Sequence, residues 1–172
     1  MTHRRNQFIQ AAFVVNDLEE AMRRWIRLNN IGPFYVLRHA QMQDLRYRGA
    51  PVEVDASFAM AQAGGVQIEL VQQHNVGPSA YRDSVPPGQE GFHHACIVTD
   101  DYDAEMMHYA ASGCVPAMEG RFGEMRFCYM DTRRLNGFMT EIIQDWEPVR
   151  AVHKRVAEAA VNWDGSDPIR EL

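Results

Sequence analysis

The stretch Gln10-Ala-Ala-Phe-Val-Val-Asn-Asp-Leu18 returns later in the chain as His94-Ala-Cys-Ile-Val-Thr-Asp-Asp-Tyr102, with Ala, Val and Asp at matching places. Each copy is an apolar run that ends in an acidic helix start. A second pair follows the first. Val66-Gln-Ile-Glu-Leu-Val71 is echoed by Phe138-Met-Thr-Glu-Ile-Ile143, an apolar strand with one carboxylate in its middle. Self-similarity of this kind fixes architecture before any local reading. It predicts an α+β fold made of two copies of a strand–helix–strands module. It also sets a polar or ionisable residue at the same two strand positions of each copy: Gln10 and Glu69 in the first, His94 and Glu141 in the second.

Working outward, residues 7–15 read as a buried strand. Asp17 is placed to cap a helix, with Glu20 three residues on in the manner of a capping box. Leu18, Ala21, Met22, Trp25 and Ile26 then follow at amphipathic spacing, while Arg23, Arg24 and Arg27 form a solvated face. Asn29 to Pro33 stops the helix. A strand is expected at 34–37, a loop or ragged strand over 38–50, and strands at 52–61 and 66–72 around the turn Ala63-Gly64-Gly65. These make module one, residues 7–72. Residues 73–90, with Gly77-Pro78 and Pro86-Pro87-Gly88, read as a linker. Module two, 91–145, repeats the plan: a strand at 92–98, a helix near 102–112, then strands near 114–119, 125–130 and 138–144. The remainder, 146–172, is a C-terminal helix and tail, with Val149, Val152, Val156 and Ala160 at helical spacing.

The 172 residues suit one domain with a well-buried core, and 46% hydrophobic with 23% charged residues is the composition of a soluble globular protein. No apolar run reaches the roughly 20 residues that span a bilayer. The N-terminal segment carries charge without a following apolar core, so the expected address is cytoplasmic. A formal net charge of −6 gives no support to a nucleic-acid or anionic-membrane partner. Cys96, Cys114 and Cys128 are odd in number, scattered and in apolar surroundings, which suits buried free thiols.

A carboxylate inside an apolar strand is costly unless it is paired, protonated or on a metal. One such Glu taken alone more often points outward, because strand side chains alternate. The repeat shifts that balance, since both copies place polar groups at both equivalent positions. Strict alternation sends His93 to the opposite face, and the register with Gln10 selects His94. His3, His39, His74, His108 and His153 read as surface groups. Oxygen and imidazole ligands together suit a divalent first-row ion (Zn, Ni, Co, Mn or Fe), with room for water or a small-molecule substrate.

These residues carry a resemblance. Val14-Val15-Asn16-Asp17-Leu18-Glu19-Glu20-Ala21, Gln67-Ile68-Glu69-Leu70, Gly91-Phe92-His93-His94 with Asp100-Asp101, and Gly137 through Ile143 together resemble the vicinal oxygen chelate superfamily, also called the glyoxalase / bleomycin-resistance / dioxygenase group. The resemblance spans about residues 7–145. It implies paired βαβββ modules whose curved mixed sheet encloses a metal cleft, with ligands on Gln10, Glu69, His94 and Glu141. Gln at the first position departs from the histidine that resembled extradiol dioxygenases and methylmalonyl-CoA epimerases place there, although Gly91-Phe-His-His94 looks like the epimerase stretch. Gln/Glu/His/Glu is similar to the zinc-type glyoxalase I set, yet Asp131-Thr-Arg-Arg-Leu-Asn136 replaces the turn common before the last strand of those enzymes.

The activity so implied is a metal-dependent isomerase, epimerase or lyase that transfers a proton next to a chelated carbonyl or thioester. Glu141 is the first choice of base and Glu69 the second, and Arg133 and Arg134 are candidates to hold a substrate anion. Lactoylglutathione lyase activity and a non-catalytic small-molecule binding protein of the same fold are the alternatives. A homodimer is expected, because one pair of modules leaves sheet edges open and the apolar C-terminal helix around Val149–Val161 offers further surface.

Overall fold

The structure, a computed structural model, describes residues 8–172. Gln7, where the first strand was expected to begin, and His3 lie outside the described residues. The elements run β1 (Gln10–Val14), α1 (Leu18–Asn29), β2 (Phe34–Leu37), β3 (Gln43–Tyr47), β4 (Ala50–Pro51), β5 (Ala56–Ala63), β6 (Val66–Gln73) and α2 (Ala80–Ser84). Then come β7 (Gly91–Thr99), α3 (Tyr102–Ala111), β8 (Pro116–Phe122), β9 (Met125–Met130), α4 (Arg133–Asn136), β10 (Met139–Gln144), α5 (Glu147–Ala160) and β11 (Ile169–Glu171).

The helix starts form where the side chains allow them. Asp17 accepts the amide of Glu20 at 2.9 Å and Asp101 that of Ala104 at 3.0 Å, each satisfying one of the free N–H groups of a first turn. Asn30 ends α1 in the left-handed region at φ 53°. The face of α1 bearing Leu18, Ala21 and Met22 is fully buried against Phe34, Ile68 and Leu70. Burial of a side chain such as Leu18 or Met22 contributes ~1.5–3 kcal/mol.

All strands lie in one mixed, open sheet of order β11-β2-β5-β6-β1-β7-β10-β9-β8-β3-β4. The repeat is visible in the pairing. β1 runs parallel to β6 and β7 parallel to β10, while β5–β6 and β9–β10 are antiparallel. The two modules meet where β1 pairs antiparallel with β7. That seam brings the two equivalent first strands side by side, so whatever they carry inward converges.

Three features add to the sequence expectations. Residues 38–50 hold the β3–β4 hairpin, and β3 crosses to pair with β8 of the other module. Gly120 makes that crossing possible, since a Cβ there would stand 2.8 Å from Leu45 and 3.1 Å from Phe127. The linker is not a bare connection. Its α2 is capped by Ser79, and Ala80 and Tyr81 are fully buried in the main core. The tail returns as β11 beside β2. Among the described residues no helix is long and apolar enough to cross a membrane. All three cysteines are buried and free.

Candidate functional site

Strand register alone gathers the candidate residues. Gln10 lies opposite Gln67 of β6 and Cys96 of β7, and Glu141 lies opposite Cys96 and Tyr129. Counting by twos from these pairs puts Gln10, Glu69, His94, Cys96, Tyr129 and Glu141 on one face of the sheet. The structure brings the four expected residues together there. His94 Nε2 stands 3.5 Å from Glu69 Oε2 and 3.2 Å from Glu141 Oε2. Gln10 Nε2 donates to Gln67 Oε1 at 2.8 Å and reaches Glu69 Oε1 at 3.4 Å. His94 is wholly buried, and Gln10, Glu69 and Glu141 expose only 4%, 8% and 8%.

Two buried atoms at this meeting point, Glu69 Oε2 and His94 Nε2, have no aligned hydrogen-bond partner. Leaving a polar atom buried and unpaired costs ~1–3 kcal/mol. Two such atoms facing one another across the same small space fit a group that both could bind, and the donor set of two carboxylates, one imidazole and one amide oxygen suits a divalent first-row ion. A half-turn of the Gln10 amide presents Oε1 in place of Nε2.

The two carboxylates are not equivalent. Burial, and then the neighbouring Glu141, push Glu69 well above the ordinary carboxylate range. Burial also drives Glu141 upward, but His94, with donors from Cys96 and Tyr129, outweighs it and holds the group below its ordinary value. Burial beside these carboxylates raises the Tyr129 phenol and the Cys96 thiol, which keep their protons. Tyr129 meets Tyr81 of α2 hydroxyl to hydroxyl at 3.0 Å.

Gln10, Glu69 and Glu141 open onto a cavity of about 200 Å³. Its remaining wall is largely apolar: Leu37, Phe58, Met60, Phe122, Met125 and Ile143 from the sheet, Val149 and Val152 from α5, and Leu172. A wider hollow of about 550 Å³ lies among Asn30, Gln62 and Trp163, but its lining carries no ionisable group. Chemistry rather than volume makes the smaller cavity the candidate site.

Two sequence expectations, on His93 and His153, are corrected here, and the place of Arg133 and Arg134 is fixed. His93 does not face away from His94. Ala12 pairs with His94 and Phe13 with Phe92, so His93 is the extra residue of a β-bulge, and a bulge breaks alternation. The two rings meet Nδ1 to Nδ1 at 2.7 Å, and His93 Nε2 lies 2.9 Å from the Ala80 carbonyl, which carries α2 into the site's floor. His153 is not a surface group either. It lines the cavity from α5, and burial lowers its pKa against the opposing pull of Glu141. The signal was present in the spacing, because His153 shares the stripe of Val149 and Val156 at i+4 and i−3. Arg133 and Arg134 are absent from the cavity wall. Arg133 instead holds Asp131 through two hydrogen bonds of 2.8 Å, and Arg134 is exposed. His39 and His74 are exposed as expected, but they stand together rather than singly.

Comparison with known proteins follows the same lines. The family model described as the Glyoxalase/Bleomycin resistance protein/Dioxygenase superfamily matches residues 9–129. No curated protein matches the sequence. Among solved structures, a hypothetical protein of Bacillus halodurans C-125 is 16% identical with a TM-score of 0.57, over 84% of this chain and 97% of that one. A Streptomyces coelicolor methylmalonyl-CoA epimerase in complex with 2-nitronate-propionyl-CoA is 16% identical, TM-score 0.53, over 82% and 98%. The Mycobacterium tuberculosis methylmalonyl-CoA epimerase is 11% identical, TM-score 0.54, over 83% and 89%. At these identities the likeness is one of fold.

Proposed function

The chain belongs to the glyoxalase/bleomycin resistance protein/dioxygenase superfamily, and on that premise we propose that it is a divalent-metal-dependent epimerase or isomerase, moving a proton at the carbon next to a carbonyl or thioester. One observation carries the reading: two buried carboxylates, Glu69 from β6 and Glu141 from β10, flank a single buried imidazole whose Nε2 lacks an aligned partner. Gln10, Glu69, His94 and Glu141 would hold the ion, which when bound supplies Lewis acidity to the substrate oxygen and so acidifies the adjacent C–H.

The chain's own groups divide the remaining work. Glu141, with Cys96 and Tyr129 as neighbouring donors, accepts the proton. Glu69 enters from the other module and stands on the opposite flank, where it can return a proton to the other face of the same carbon. That is the arrangement an epimerisation needs. The apolar wall from Phe58, Met60, Phe122 and Val152 excludes water and accepts a short acyl group. A cavity of about 200 Å³ encloses only the reacting end of a coenzyme or glutathione thioester, so the rest of such a substrate lies outside it. His153 closes the cavity from above as an uncharged donor or acceptor.

The test combines metal analysis with deuterium incorporation at the acidic carbon, across a panel of branched acyl thioesters and glutathione hemithioacetals. Glu141→Gln should keep its metal, because the amide oxygen still coordinates, while exchange falls by ~10²–10⁴-fold. His94→Ala should lose the metal itself. Equal exchange in Glu141→Gln and the parent protein removes Glu141 as the base. Metal-free protein with no exchange on any member of the panel favours a binding protein.

A further inference from the structure

A second cluster of ligating side chains lies outside the cavity. In the β5–β6 hairpin Ala56 pairs with Gln73, so Asp55 and His74 are the next residues across the same ladder, and the His74 amide donates to the Asp55 carbonyl at 2.8 Å. His39 leaves the adjacent β2 and is drawn to the same end of the sheet. Its own amide donates to Ser57 Oγ at 3.0 Å, and the Ala40 amide donates to the Ala56 carbonyl at 2.8 Å. To reach that place His39 adopts φ 46°, a left-handed conformation uncommon outside glycine. The backbone therefore holds all three residues in position without help from their side chains.

The side chains then converge. His39 Nδ1 and Asp55 Oδ1 are 2.7 Å apart, and the two imidazole rings lie 4.5 Å apart centroid to centroid, 30° from parallel. One ligand atom from each of His39, Asp55 and His74 falls within 4.8 Å of the other two. Bonds of ~2.0–2.1 Å at tetrahedral angles put ligand atoms roughly 3.3 Å from one another, so small side-chain rotations suffice to close on an ion. Ser57 Oγ meets His74 Nε2 at 2.7 Å and fixes that ring, as hydrogen-bond partners do for metal-bound imidazoles. Beside the cluster, a hollow of about 420 Å³ that includes His39, Asp55 and Glu53 leaves space for a further ligand.

We propose that His39, Asp55 and His74 form a second divalent-cation site, of two imidazoles and one carboxylate, with a fourth position left to water or a small anion. It is separate from the cleft: His74 lies five residues beyond Glu69, roughly 16 Å along a strand at ~3.3 Å per residue. Zinc is the ion of choice for that donor set.

The experiment is zinc titration of the full chain by calorimetry, with zinc content measured after dialysis. The variants are the double substitution His39→Ala/His74→Ala, Ser57→Ala, and His94→Ala as the cleft control. All of His39, Asp55 and His74 face solvent, so the double variant should keep the parent far-UV spectrum. The expected result is loss of one zinc equivalent in the double variant, ~10–100-fold weaker binding at that site in Ser57→Ala, and a retained equivalent in His94→Ala. Unchanged zinc stoichiometry in the double variant overturns the proposal. Loss of all zinc in His94→Ala overturns it as well and leaves the cleft reading standing. Full zinc stoichiometry in His94→Ala, with all zinc lost in the double variant, supports the rim site and counts against the cleft.

Discussion

Glu69 and Glu141 were legible as a pair for one reason, the repeat, which set a carboxylate at the same place in two apolar strands. His93 was not, because alternation is the only rule a strand sequence offers, and a bulge suspends it. His153 was missed because a helix stripe names a buried face without saying what it is buried against. Arg133, a candidate anion holder in the sequence, has an acidic partner two residues away. That partner is Asp131, which the Arg133 guanidinium, and after it Arg48, hold well below the ordinary aspartate range against the opposing effect of burial. A depressed carboxyl contributes stability that is complete above its unfolded value, near 3.9, and is lost as pH falls through the folded value. Asp131→Asn should therefore lower unfolding stability by ~1–3 kcal/mol at neutral pH, with the difference shrinking as the pH is taken well below 3.9. Denaturant melts at neutral and strongly acidic pH check this. An equal deficit at both contradicts the assignment.

At the scale of elements, the capped helices and most strands were readable from caps, spacing and turn residues. The parts that were not readable are those that pack on something distant in sequence. β3 and β4 are polar and irregular as a sequence and become strands only because β8 offers an edge. The 73–90 segment looked like a linker from its prolines and glycines, yet Tyr81 anchors it in the core. α5 was recognised as a helix, but its place over the cavity follows from Val156, fully buried against Tyr35 and Met60. That contact makes a test. Val156→Ala removes two methyl groups from a packed site and should cost about 2 kcal/mol, loosening α5 more than the sheet. Amide exchange should quicken along α5 while β1, β6, β7 and β10 keep their protection. Uniform loss across the sheet would mean α5 is part of the global core rather than a cover.

At the scale of the whole molecule, the antiparallel β1–β7 seam turns a sequence repeat into a site. Two modules related by repetition each deliver one first-strand and one last-strand residue to the same face, and neither module alone holds the set. The homodimer was expected on two grounds, open sheet edges and the further apolar surface of the C-terminal helix around Val149–Val161. Among the described residues the sheet edges are β4 and β11, of two and three residues, and short edges resist edge-to-edge pairing. The C-terminal helix is then the surface left to the expected dimer, and sedimentation at micromolar concentration decides whether one forms.

Everything proposed for the cleft depends on Gln10, Glu69, His94 and Glu141 holding one metal ion. The most direct measurement is anomalous diffraction at the cobalt edge from crystals grown with cobalt(II). The expected result is a peak within first-row coordination distance, ~2.0–2.2 Å, of His94 Nε2 and of oxygens of Glu69, Glu141 and Gln10. Well-ordered crystals that show cobalt only beside His39, Asp55 and His74, or none inside the cleft, would contradict it.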